Sequence, residues 1–211
     1  MTSVGLIGAR AVDASRRLAA ATALACWPLL GWAHAESGRA DGRLDGLLAG
    51  LQHPVSGLDH VLAMVAVGLW GAQLGAPAIW LLPLTFPLVM AFGGMLGLMG
   101  VPLPGAEVGI ALSALVLGVA IVTAWRPTLW VAAAVVGFFA IFHGHAHGTE
   151  LPAGASGLAY SLGFVAATGA LHACGIGIGV MQRWSPGQVM LRAAGAGVAA
   201  AGAAFLWRAL A

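Results

Sequence analysis

LWVAAAVVGFFAIFHGHAHGTE, residues 129–150, joins an unbroken apolar run to three histidines and a glutamate. The part up to Phe142 has no charge and no polar face, so water is the wrong solvent for it; it reads as a helix in lipid. Five blocks of the same kind flank it, at 58–74, 78–99, 106–124, 156–180 and 189–210. Between them stand Gly75-Ala76-Pro77, Pro102-Leu103-Pro104, Arg126-Pro127, Leu151-Pro152 and Ser185-Pro186-Gly187, the residue types that end helices. The whole chain agrees with this reading. Of 211 residues 60% are apolar and 8% charged, against about 45–50% and about 25% in soluble domains, and mean hydropathy is +0.94. The expected fold is all-α: a polytopic membrane helix bundle with six transmembrane helices, following a cleavable signal peptide. Nine arginines without a lysine form no basic stripe, which excludes nucleic acid as a partner. The partner that composition demands is the lipid bilayer.

Residues 1–35 have the build of a secretory signal: Arg10, Arg16 and Arg17, then an apolar stretch, then Ala33-His34-Ala35. Cleavage after Ala33 or after Ala35 fits, with an uncleaved anchor as the alternative. Cleavage after Ala33 would put a free α-amine beside the His34 imidazole, a chelating pair for a late transition metal. Residues 36–57 form a polar, periplasmic lead-in. In it Leu44, Leu47, Leu48 and Leu51 mark one face of a short amphipathic helix lying in the membrane interface. Residues 58–211 then form the six-helix domain. The signal's arginines orient the chain, with the mature N-terminus periplasmic and the protein in a bacterial inner membrane.

In that orientation His34, His53, Asp59, His60, Glu107, His143, His145, His147 and Glu150 all fall at or near external helix ends. An ionisable group at membrane depth costs about 2.5–3.5 kcal/mol on insertion scales. A chain so poor in charge that nonetheless clusters such groups is using them.

In HPVSGLDH (53–60), Pro54 should hold His53 extended. Asp59 and His60 project about 100° apart, so one ligates while the other orients a neighbour; an N-cap is the plainer role for Asp59. In FHGHAHGTE (142–150), a helix puts His143 and His147 on one face at i, i+4, with Glu150 a turn beyond. His145 then points away toward solvent or headgroups; a polyhistidine collecting loop is the alternative. His172, deep in the fifth block, is either a packed core residue or a ligand. Glu107 opens the third block and is either interfacial or a further carboxylate for the site. Met64, Met90, Met95 and Met99 are read as packing. Gly93/Gly97 and Gly175/Gly179 are read as helix-contact pairs; such seams also leave room for a homo-oligomer.

HPVSGLDHVLAMVAVGLW (53–70) and FHGHAHGTELP (142–152) resemble the two signature motifs of the HupE/UreJ family. The resemblance extends through LPLTFPLVMAFGGMLG (82–97), PGAEVGIALSALVLG (104–118) and ALHACGIGIG (170–179), essentially the whole mature chain. It implies a six-helix membrane protein encoded with hydrogenase or urease systems, a permease for nickel and sometimes cobalt, with maturation proteins as partners. It places metal-linked roles on His53, Asp59, His60, His143, His147 and Glu150, and His145 at a variable place between them. It also implies a mature chain beginning at His34, although Ala35-Glu36 stands where the family has Thr-Gly.

The expected function is therefore transport of a divalent transition metal, nickel first. Cobalt, copper and zinc are compatible with imidazole and carboxylate donors. No catalytic role is expected. The alternative is a membrane metalloprotein with a fixed copper or zinc centre for redox, sensing or hydrolysis.

Overall fold

A computed structural model describes residues 42–150 and 156–211. The expected signal segment, its cleavage point and His34 lie outside the described residues. Those described form seven α-helices and one 3-10 turn: α1 (Gly42–Ser56), α2 (Leu58–Leu74), α3 (Ala78–Leu98), α4 (Ala106–Val122), α5 (Leu129–Thr149), α6 (Gly157–Gly179), the turn Val180–Arg183, and α7 (Ser185–Leu210). Each of the six apolar blocks is a helix, and the proline- and glycine-bearing breaks separate them.

Length divides these helices. Four are long and apolar enough to cross a membrane: α3, α5, α6 with its turn (Gly157–Arg183), and α7. α4 has 17 residues, about 25 Å at the helical rise against a hydrocarbon core of about 30 Å. α2 also has 17, and it is bent by 82° from α1 at Gly57; taken as one broken element, the pair makes a fifth candidate span.

Glycine decides how the helices pair. A Cβ on Gly93 would strike the Ile141 carbonyl, one on Gly97 the His145 carbonyl, and one on Gly144 the Met90 carbonyl, so α3 and α5 run side by side with backbones touching. Gly175 meets the Val65 carbonyl and Gly68 the His172 carbonyl, which sets α2 along the second half of α6. α4 and α7 pair through Gly118 on Ala199 and Gly202 on Leu115. In lipid, apolar side chains gain little by leaving one greasy medium for another, so close backbone approach takes over as the cohesive force. Gly93/Gly97 and Gly175/Gly179 behave as their spacing predicts.

α1 departs from its expected place. It is the predicted short helix, but it lies along the first half of α6, with Gly50 against the Tyr160 carbonyl and Gly163 against the Leu47 carbonyl. Its buried positions are Gly46, Gly50 and Pro54, while Leu44 is exposed and Leu47, Leu48 and Leu51 are half-buried. The leucine stripe drew attention to the wrong face; the small-residue face makes the contact. α6 thus backs both members of the bent pair, and the break between them opens toward α5. Met64 and Met90 fill the core as expected, but Met95 and Met99 lie exposed on the outside of α3 and its end.

Candidate metal centre

The break at Gly57 positions the site. The residue has an extended backbone, φ −104° and ψ 119°, and a Cβ there would come within 2.7 Å of Asp59 Oδ1 and 3.0 Å of His60 Nδ1. Those two side chains close over it. Asp59 Oδ1 accepts from the His60 backbone N–H and from His60 Nδ1–H, both at 2.9 Å. Asp59 is not the N-cap, which is Gly57; it lies inside the first turn, where its carboxylate holds the backbone amide and the imidazole of its own neighbour. With Nδ1 carrying the proton, Nε2 of His60 presents its lone pair; it is buried and has no hydrogen-bond partner.

α5 supplies the facing pair. His143 and His147 are buried, one turn apart. Ser113 Oγ donates to the Ile110 carbonyl at 2.6 Å, so its proton is committed, and the 2.9 Å contact to His143 is His143 Nε2–H donating to Ser113 Oγ. His143 Nδ1 is left with a lone pair and no partner. Neither nitrogen of His147 has a hydrogen-bond partner. Burying an imidazole nitrogen unpaired is costly; of these four atoms one on His147 keeps its proton, which leaves three lone pairs, one on each ring, as a fit for something electron-poor.

The rings stand in a ladder. His60 lies 4.8 Å from His143 and 4.6 Å from His147, centroid to centroid; His147 in turn lies 4.6 Å from His53. His53 Nε2 is 3.1 Å from Glu150 Oε2, and the Glu150 side chain, 60% exposed, marks the open end. One ligand atom from each of His53, His147 and Glu150 falls within 4.8 Å of the others. Phe164 closes on His147 at 4.3 Å and Tyr160 on His53 at 5.9 Å.

Several expectations change here. His53 is helical, not extended: Pro54 sits inside the last turns of α1, where few following amides are displaced, and Ser56 Oγ donates to the His53 carbonyl at 2.7 Å. His145 does point away from the other two histidines, as the helical face requires, but it is buried and not solvent-facing. Its Nε2–H donates to the Val101 carbonyl at 2.7 Å, because the chain after α3 folds back over that face. Glu107 is exposed in the first turn of α4, outside the group that could hold an ion. His172 is buried and stands apart from the cluster, its ring against Phe86. Ser113 reads in sequence only as a polar residue in an apolar block. The aromatic walls Phe86, Tyr160 and Phe164 give no sequence signal at all.

Comparison with known proteins gives the family. The family model described as HupE / UreJ protein covers residues 21–205. The chain belongs to the HupE/UreJ family. Protein HupE of Rhizobium leguminosarum bv. viciae is 49% identical over 185 residues, covering 88% of this chain and 95% of the relative. No solved structure matches. The HupE/UreJ assignment carries with it, at the level of the family, an accessory role beside hydrogenase or urease and a link to nickel and cobalt handling rather than to catalysis.

Proposed function

We propose that this protein takes up a divalent transition-metal cation, Ni²⁺ first, at a periplasm-facing site and releases it to the cytoplasm. The site is His53, His60, His143, His147 and Glu150, with Asp59 as the orienting carboxylate and His34 joining from the mature N-terminus once the signal is cut. Six membrane passages of an inner-membrane protein are part of this reading, α2 and α4 completing the set with the four longer helices.

The observation that carries it is the set of three buried imidazoles, His60, His143 and His147, each with an unpartnered nitrogen free to offer a lone pair, brought together from two helices far apart in sequence. The orphaned nitrogens suit a soft-to-borderline cation, and the carboxylate at the mouth supplies charge attraction. Cobalt fits the same donors.

The experiment is ⁶³Ni²⁺ uptake into proteoliposomes, alongside metal analysis of the purified protein before and after washing with a chelator. Exchangeable metal with time-dependent uptake supports transport. A fixed copper or zinc centre is the second reading, favoured by the burial of His143 and His147 and by the gathering of the donors at one end of the bundle; metal that survives the chelator with no uptake would establish it.

A further inference from the structure

His172 lies outside the ladder, and its surroundings are those of a second stopping point. It is 2% exposed and Thr168, one turn earlier on the same face of α6, is 0% exposed. Neither ring nitrogen of His172 makes a hydrogen bond, nor does Thr168 Oγ1, although a threonine within a helix can donate to the carbonyl four residues back. A third polar atom lies near the ring. The imidazole approaches the carbonyl of Pro83, which α3 leaves without its helical partner because residue 87, the one that should donate to it, is also proline. Unpaired polar side chains in an apolar interior are expensive, and Thr168 and His172 are two of them.

Phe86 connects this place to the outer cluster. Its ring is fully buried and touches both imidazoles, His143 at 5.4 Å and His172 at 5.5 Å between centroids.

We propose that His172, Thr168 Oγ1 and the Pro83 carbonyl form an inner station for the transported cation, with the Phe86 ring as the apolar barrier between it and His143. This rests on the transport reading above. The donors suit a transient stop. One imidazole and two neutral oxygens bind a divalent ion far more weakly than several imidazoles with carboxylates, and conduction needs sites that release what they accept. The cation leaves the outer cluster when Phe86 rotates aside, pauses at His172, and moves on toward the far end of α2 and α6.

Two variants test it, His172→Leu and Thr168→Val, each in full-length protein. Co²⁺ titration followed by its visible absorption reads the outer cluster; ⁶³Ni²⁺ uptake into proteoliposomes reads passage; thermal melting in detergent reads the fold. Thr168 Oγ1 has no hydrogen bond to lose, so Thr168→Val should melt at or above the temperature of the unaltered protein, and His172→Leu should melt within a few degrees of it. Both should bind Co²⁺ with unchanged affinity. Uptake should fall at least tenfold in His172→Leu and severalfold in Thr168→Val. Uptake within twofold of the unaltered protein in both, with Co²⁺ binding retained, overturns the inner station and leaves the proposed function standing. Should His172→Leu fail to fold, Thr168→Val decides alone, being isosteric. If the unaltered protein neither binds Co²⁺ nor takes up Ni²⁺, the function itself is wrong and the station goes with it.

Discussion

In the proposed site Asp59 acts at one remove from the ion. Its carboxylate holds His60 Nδ1–H at 2.9 Å and so turns Nε2 inward as a bare lone pair. Asp59→Asn keeps the shape but can present its amide N–H₂ to the ring and invert the tautomer. Metal affinity should drop about tenfold to a hundredfold, the usual cost of losing a carboxylate behind a ligating histidine, measured by Co²⁺ titration with helicity unchanged in circular dichroism. Ser113→Ala makes a narrower cut. It strips the acceptor that fixes His143 in its Nε2–H form and should weaken binding less than removing His143 itself. The pH dependence follows from the same chemistry. Neutral imidazole is the binding form and protons compete for its lone pair; burial holds the His53 ring below the ordinary histidine value of about 6.5, so affinity should be full at that pH and above and decline only as pH falls below it. Affinity that already declines between pH 8 and pH 6.5 would contradict buried, neutral imidazoles as the donors.

Among the elements, the helices were legible and their partners were not. Apolar runs bounded by proline and glycine announce where α2 to α7 begin and end, since a backbone in lipid must bond to itself. His143 and His147 followed from the 3.6-residue period, and so did the outward turn of His145. Periodicity does not say what a face meets, which is why the Val101 carbonyl waiting for His145 and the bed of α6 beneath α1 were invisible. His53 failed for a related reason: the local preference before Pro54 yielded to a helix already held by Gly50 and Gly163. That contact is testable. Gly163→Leu drives a side chain into the Leu47 carbonyl and the Leu51 amide, and overpacking of this kind costs about 1–3 kcal/mol. It should lift α1 away, lower the melting temperature, and weaken Co²⁺ binding by withdrawing His53. Gly169→Leu is the matched control. Nothing lies within 4 Å of its added Cβ, so both readouts should stay at the level of the unaltered protein.

Among the described residues, the clustered histidines gather at one end of the bundle and packed side chains close the other. Opposite the histidine ladder, Trp70 stacks on Trp125 at 5.6 Å with the planes 17° apart, and Trp70 Nε1–H donates to the Trp125 carbonyl at 3.1 Å. Gln73 Nε2 donates to the Ile121 carbonyl at 3.2 Å, and Gln182 ties the turn after α6 to the Ala72 carbonyl. A permease needs that end to open, because a cation accepted by His147 and His60 has no other way through. A fixed centre gains nothing from opening it. Trp125→Ala separates the two. Trp125 lies on the loop after α4 and is 42% exposed; its loss removes the stacking ring and keeps the backbone carbonyl that Trp70 uses, so the fold should survive. In a permease the seal loosens: Ni²⁺ trapped inside proteoliposomes should leak out several times faster, while Co²⁺ affinity at the far end is unchanged. For a metalloprotein whose ion stays in place, the substitution should alter neither the leak nor the bound metal. Efflux from preloaded vesicles, compared with vesicles carrying the unaltered protein and with empty ones, therefore discriminates between the two functions without touching any metal-binding side chain.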